Sequence, residues 1–504
     1  MIVVRCNEDN YTYDLHSLVK AFYPSEDVKV FKDGDKDLNS DNGLPEIEVL
    51  YGQNDLRICV RVADDATKEQ ETDDVIAERM VDATKENEAY IDGIDYADRP
   101  EYKNHLKRTL YSVLSELTGK SLPWGTLTGI RPTKIAMSML DEGASDEQIV
   151  STMKDTYLCS EQKSKLSADI AHYEHQILEP IDYDNGFSLY IGVPFCPSTC
   201  LYCSFTSYPI ARYRNIVDEY ISAVKKEIDY VAAELSHKTL DTVYIGGGTP
   251  TTLEALQLKE LIEYAKAKLD WSQVKEFTVE AGRADSITRE KLETLLECGV
   301  TRISVNPQTM NEETLRIIGR KATAAETVEC YKIAREVGFN NINMDLIVGL
   351  PDEKIDDVRY TLEKVKELAP DSLTVHSLAI KRASRLAQVI DEMGYETISN
   401  SDDIMTLTEE TARAMGMKPY YLYRQKNMSG NFENVGYSVE GKAGIYNILI
   451  MEEVQSIVAL GAGTVTKRVY GDGRIERCDN VKDVGLYIEK IDEMIERKRN
   501  LFAD

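Results

Sequence analysis

The sequence predicts an α/β protein: a partial (β/α)6 barrel, preceded by an α+β and helical N-terminal extension and followed by a C-terminal α+β domain. Two observations carry this. Between residues 186 and 385, six short β-rich runs alternate with amphipathic helices, a pattern that needs crossover helices over a parallel sheet. Eight such units would close a full barrel, so six leave it open. The length of 504 residues fits two to four domains, and the alternating pattern fills only part of it.

Taken in order, residues 1–65 form a small α+β unit. Strand-like runs lie at Ile2 to Arg5, Val28 to Phe31, Glu46 to Tyr51 and Leu56 to Val62. The last two flank Gly52-Gln53-Asn54-Asp55, a hairpin turn. Tyr13 through Phe22 reads as a helix, with His16 structural. Over 66–185 the strands stop, and polar helical stretches follow at Lys68 to Glu88 and Asn104 to Thr118. A glycine- and proline-punctuated loop, Gly119 to Lys134, carries Trp124, one of two tryptophans. Packing is the favoured role for that loop, because a buried tryptophan contributes a large contact area.

Over 186–385 the strands are Ser188 to Val193, Thr242 to Ile245, Glu276 to Glu280, Arg302 to Asn306, Asn341 to Val348 and Ser372 to Leu378. Helices are expected at Val217 to Leu235, Leu253 to Leu269, Thr288 to Cys298, Ala324 to Val337 and Lys354 to Leu368. Residues 386–504 form a C-terminal domain expected to cover the substrate.

Chemistry belongs at the carboxyl ends of such strands. The loop after the first strand reads Cys196-Pro197-Ser198-Thr199-Cys200-Leu201-Tyr202-Cys203. Thiolates suit iron–sulfur clusters and zinc. A structural zinc site takes four ligands, and this loop offers three; the neighbouring cysteines, Cys159 and Cys298, are far away in sequence. Three thiolates can hold three irons of a [4Fe–4S] cube and leave the fourth open to substrate. Zinc with a remote fourth ligand, or three apolar buried thiols, remain the alternatives. The second strand is followed by Gly246-Gly247-Gly248-Thr249-Pro250, where glycines let the backbone approach a ligand closely. Glu280 ends the third strand, Gln308 follows the fourth and Asp345 lies on the fifth. Each carboxylate serves equally well as an ion-pair partner, of Arg302 or Arg283.

Nine cysteines in 504 residues are too sparse for a disulfide scaffold. The first residues turn acidic without a signal-peptide core, and no run approaches the ~20 apolar residues of a membrane span. These features predict a cytoplasmic protein with no membrane span. A net charge of −28 argues against nucleic acid, whose partners show basic faces.

Taken together, the cysteine loop, the Gly246 to Thr251 string, Phe277-Thr278-Val279-Glu280-Ala281, Arg302 to Gln308 and Asp345 to Pro351 resemble radical S-adenosylmethionine enzymes of the oxygen-independent coproporphyrinogen III oxidase family. Outside the core, Leu122-Pro123-Trp124-Gly125 to Lys134, and Asn434-Val435-Gly436-Tyr437 through Tyr446-Asn447 and Met451-Glu452-Glu453 to Gly461-Ala462-Gly463, resemble its HemZ-type branch. The resemblance implies a radical-SAM barrel, with Cys196, Cys200 and Cys203 as ligands of a [4Fe–4S] cluster. It implies one or two S-adenosylmethionine molecules. Their contacts would be Tyr202 at the adenine, Gly247, Gly248 and Thr249 at the methionine part, and Glu280, Gln308, Arg320, Asp345, Tyr190 and Ala379 around them. The implied activity is coproporphyrinogen dehydrogenation in porphyrin and haem biosynthesis. A 5′-deoxyadenosyl radical takes hydrogen from a propionate, which loses carbon dioxide and one electron to an acceptor and becomes a vinyl group, giving protoporphyrinogen IX. The implied partners are a tetrapyrrole substrate and an electron donor such as flavodoxin or ferredoxin. Arg283, Arg320, Lys381, Arg382 and Arg385 are candidate anchors for substrate carboxylates.

Two positions depart from the family. Gly192 stands where a histidine is common. Phe205 stands where oxidases of another branch carry cysteine, and phenylalanine there also occurs in haem chaperones. A haem chaperone with the same cluster, or another tetrapyrrole-modifying radical enzyme, is therefore the alternative function.

Overall fold

The structure, a computed structural model, describes every residue except 33–39, 42, 64–83, 380–384, 394–399, 426–431 and 504. The chain divides into two compact units, Met1–Ala168 and Asp169–Asp504.

In the first unit the strands β1 (Ile2–Cys6), β2 (Val28–Lys32), β3 (Glu46–Tyr51), β4 (Asp55–Ala63) and β5 (Thr84–Asp92) form one sheet in the order β2-β1-β3-β4-β5. Every second residue of β3 is buried, the period of a strand with one wet face. It turns back into β4 antiparallel across the predicted hairpin. The helix Thr12–Phe22 buries Leu15, Leu18, Val19 and Phe22, spaced three and four apart so that they share one face. The predicted helix Lys68 to Glu88 is corrected. Its first sixteen positions lie outside the described residues, and the remainder belongs to β5, which pairs antiparallel with β4. Glu, Lys and Ala there carry helix propensity, but an edge strand also accepts charged residues, and pairing with β4 decides. The next helix, Arg99–Thr118, starts earlier than expected because the Asp98 side chain accepts from Glu101 N at 3.2 Å and Pro100 fits the first turn. Trp124 is fully buried, as the packing reading of its loop expects.

The second unit holds an eleven-stranded sheet in the order β14-β15-β13-β12-β11-β10-β9-β6-β16-β17-β18. Its centre is the predicted array: β6 (Gly186–Val193), β9 (Thr239–Gly247), β10 (Glu276–Glu280), β11 (Arg302–Ser304), β12 (Ile342–Val348) and β13 (Ser372–Ser377), all parallel. Two short strands, β7 (Phe195–Cys196) and β8 (Tyr208–Pro209), pair separately beside it. The helices Val217–Glu234, Ala255–Lys268, Arg289–Glu297, Ala324–Val337 and Ile355–Leu368 lie within two residues of their predicted ends.

Residues after 385 do not form a sheet of their own. β14 (Lys418–Tyr423) and β15 (Asn434–Ser438) extend the sheet antiparallel beyond β13. At the other edge β16 (Ser456–Leu460) pairs parallel with β6, followed by β17 (Val465–Val469) and β18 (Ile475–Asp479). The parallel array is thus longer by one strand than the six predicted, and the cysteine-bearing strand end has neighbours on both sides. No helix of the described residues is long and apolar enough to cross a membrane.

Candidate functional site

The cysteine loop is fixed by backbone contacts before any cofactor is considered. Gly248 N donates to Val193 O at 2.8 Å, and Thr249 N to Phe195 O at 2.7 Å. A Cβ on Gly248 would lie 2.6 Å from Phe195 O, and Gly247 has φ +111°. The glycine string therefore has a role beyond contacting a ligand: only glycine lets the end of β9 close onto the chain entering Cys196. On the far side Leu201 N donates to Ile318 O at 3.0 Å.

This places Cys196, Cys200 and Cys203 on one cavity of about 260 Å³. Cys196 and Cys200 are buried and Cys203 is half-buried. Thr249 Oγ1 donates to Cys196 Sγ at 3.4 Å, and Arg283 Nη1 to Cys200 Sγ at 3.3 Å. Burial pushes the Cys196 thiol up to about 11 and raises that of Cys203, so their thiolates need a cationic centre to form. Among the described residues no three His, Cys, Asp or Glu groups are gathered for a single metal ion. In a cubane each thiolate binds its own iron, so three cysteines on one cavity match three of its four irons, whereas a structural zinc takes four ligands. The hydrogen bonds to sulfur are the outer contacts that tune such a cluster.

The opposite wall carries the polar residues singled out in the sequence. Glu280 ends β10, and Tyr244 Oη donates to its Oε1 at 2.6 Å. Burial, reinforced by Asp345, raises Glu280 to about 7, against the pull of the Tyr244 hydrogen bond. Gln308 holds a left-handed φ of +67°, fixed by Gln308 N to Asp345 O at 3.0 Å and Ile347 N to Gln308 O at 2.9 Å. Its buried Oε1 has no protein partner. A strained backbone and an orphaned acceptor on a residue lining the cavity make Gln308 a candidate ligand contact. Arg320 donates from Nη2 to Tyr202 Oη at 3.0 Å, and from Nη1 to Gly282 O and Asn306 O at 3.3 Å. Asp345 Oδ1 accepts from Asn343 Nδ2 at 2.7 Å and lies 3.9 Å from His376 Nε2. Ala379 is half-buried on the same wall. Neither Glu280 nor Asp345 is paired with an arginine among the described residues; Arg283 pairs with Asp285 at 2.7 Å instead.

Comparison with known proteins shows which family the chain belongs to. The Radical SAM superfamily profile matches residues 190–365. The oxygen-independent coproporphyrinogen-III oxidase-like protein HemZ of Bacillus subtilis is 39% identical over 408 residues, 79% of this chain and 80% of that one. The chain belongs to the oxygen-independent coproporphyrinogen III oxidase family of radical SAM proteins.

Membership in the radical SAM superfamily implies a [4Fe–4S] cluster and S-adenosylmethionine, and the buried thiols and orphaned acceptor fit both. The family also includes the haem chaperone HemW of Bacillus subtilis, 37% identical over 195 residues, 38% of this chain and 51% of that one. Coproporphyrinogen III oxidase (HemN) from Escherichia coli shares the fold, with TM-score 0.51 and 21% identity over 64% of this chain and 72% of that one.

Of the sequence-predicted residues, the structure brings twelve of thirteen to the cysteine cavity. Tyr190 lies apart, on an adjoining cavity of about 450 Å³. Gly247, Glu280 and Asp345 face both cavities. Among the anchor candidates, Arg283 is committed to Asp285, Ser198 and Cys200, and Arg385 is exposed and donates to Thr199 O at 3.3 Å. Lys381 and Arg382 lie outside the described residues. Sequence reasoning missed His376, which also faces both cavities and whose burial lowers its pKa. It sits on β13 two residues before Leu378, and its place at a strand's carboxyl end was the available signal.

Proposed function

We propose that this family member is an oxygen-independent coproporphyrinogen III dehydrogenase of the cytoplasm. It converts propionates to vinyls and yields protoporphyrinogen IX for haem synthesis. The observation that carries the reading is the continuity of two cavities. The cysteine cavity and the larger one share Phe205, Gly247, Glu280, Asp345, His376 and Tyr423, so a cofactor in the first would face a substrate in the second.

Cys196, Cys200 and Cys203 would ligate the cluster; Glu280, Gln308, Arg320, Asp345, Tyr202, Ala379 and the Gly247–Thr249 backbone would hold S-adenosylmethionine, with Tyr190 bordering it from the adjoining cavity. When bound, the two cofactors supply hydrogen-atom abstraction from the β-carbon of a propionate. Gln308 Oε1 and the carboxylates of Glu280 and Asp345 offer acceptors to the ligand's amino and hydroxyl groups. Arg320 keeps Tyr202 in place. The enclosing strands limit water at the reacting carbon. A small electron-transfer protein, flavodoxin or ferredoxin, supplies the reducing electron.

Anaerobically reconstituted protein with S-adenosylmethionine, reductant and coproporphyrinogen III should form protoporphyrinogen IX, a loss of two carbon dioxide units by mass, together with 5′-deoxyadenosine. The 37% identical haem chaperone core favours one competing reading, in which a stoichiometric haem complex forms and the tetrapyrrole mass is unchanged. That outcome would refute the decarboxylase.

A further inference from the structure

The larger cavity has walls suited to one kind of occupant. Tyr190, Tyr244 and Tyr446 line it and stack within 25° of parallel, with centroids 4.6 to 6.0 Å apart. Tyr421 and Tyr423 also line it and stack at 10° and 6.1 Å. A cavity lined by stacked aromatic rings favours a flat, largely apolar occupant. Tyr446, Met451 and Gly463 line it and come from the C-terminal string whose role the sequence left open.

The cavity is also lined by two cations, Arg302 and Lys467. Arg302 lines it and is 1% exposed. Its Nη2 donates to Ser372 Oγ at 3.0 Å, while its Nε has no partner. Glu276 is buried nearby, but its oxygens accept from Thr278 Oγ1 at 2.9 Å and from Ile445 N. Lys467 lies on the same cavity. It shares the Glu453 carboxylate, at 3.0 Å, with Arg477 at 2.9 Å. A buried guanidinium with a spare donor seeks an anionic acceptor, and a carboxylate matches its geometry.

We propose that this cavity is a carboxylate-binding subsite, in which Arg302 and Lys467 receive a propionate of a pyrrole ring packed against the lining tyrosines. This rests on the tetrapyrrole reading above. The propionate bound here is one that does not react in that turnover. Pairing a leaving carboxylate with a guanidinium stabilises the ground state more than the transition state, in which the charge is being lost as carbon dioxide departs. The reacting propionate instead extends toward the boundary shared by the two cavities, where its β-carbon would face the cofactor. Arg302 and Lys467 are thus specificity-determining residues.

The test is equilibrium binding of coproporphyrin III, the stable oxidised tetracarboxylic acid, and of its tetramethyl ester to reconstituted holoprotein, followed by fluorescence. The acid should bind at least about tenfold tighter than the ester. Lys467→Gln and Arg302→Lys should each weaken the acid about tenfold or more, leave the ester unchanged, and keep the cluster's visible absorption. Equal affinity for acid and ester would overturn the subsite, as would wild-type acid binding in Lys467→Gln, a half-buried position whose replacement spares the core. The two readings fail separately. Acid binding without decarboxylation removes the reaction but keeps the subsite; decarboxylation with an unchanged KM in Lys467→Gln removes the subsite but keeps the reaction.

Discussion

Gly192 shows how one residue can be read only against its neighbours. A Cβ there would lie 2.5 Å from Thr464 Cγ2 and 3.3 Å from Leu460 O, so β16 and the turn after it occupy the space a histidine would need. The departure seen in the sequence is thus matched by residues some 270 positions later. Glu280 and Asp345 are equally readable in the sequence as ion-pair partners or as ligand contacts; neither makes a salt bridge with an arginine among the described residues, which supports the ligand-contact role proposed above. Arg302 was read only as such a partner, and its free Nε needed coordinates to be seen. Glu280 also gives a pH signature. Its folded value, about 7, lies above the ordinary 4.5, so the folded state binds more protons than the unfolded one between those values. The stability this confers is complete below the unfolded value and is lost as pH rises through the folded one. In ligand-free protein, urea unfolding should show wild type losing about 2 kcal/mol more than Glu280→Gln between about pH 5.5 and 7.5. Parallel pH profiles would mean that Glu280 is not held in a desolvating site.

At the scale of elements, the barrel strands were legible because strands covered on both faces read as apolar runs between helical periods. The end strands were not. β5 is polar and sits at an edge, and β16 reaches β6 across more than 260 residues of sequence, a pairing no local pattern announces. The helix Ile491–Phe502 has the same long-range logic. Its buried Lys498 Nζ donates to Glu227 Oε1 at 2.7 Å and to Asn480 Oδ1 at 2.6 Å. Glu227 also accepts from Gly461 N at 2.8 Å, and Asn480 Nδ2 donates to Gly461 O at 2.9 Å. The network therefore fixes the turn that follows β16 beside Gly192. Removing one partner leaves a buried charge alone. Lys498→Met should lower unfolding free energy by about 3–5 kcal/mol, and adding Glu227→Gln should restore part of it. A loss below about 1 kcal/mol in denaturant titration would show that the pair is not desolvated.

At the scale of the molecule, the C-terminal third extends the sheet at both edges, and its residues make up much of the lining of the larger cavity. The substrate-covering role expected of residues 386–504 thus becomes a proposal about named residues, Tyr446, Met451, Gly463 and Lys467. The charge balance is consistent with it: a strongly acidic chain places two cations, Arg302 and Lys467, on one cavity, where they select anions. The central claim is that cysteine-held cluster chemistry in one cavity acts on a propionate in the next. Its most direct measurement uses coproporphyrinogen III deuterated at the propionate β-carbons, with mass analysis of the 5′-deoxyadenosine formed under anaerobic turnover. The account predicts deuterium in the 5′-deoxyadenosine together with vinyl product. Unlabelled 5′-deoxyadenosine alongside unchanged coproporphyrinogen would contradict it.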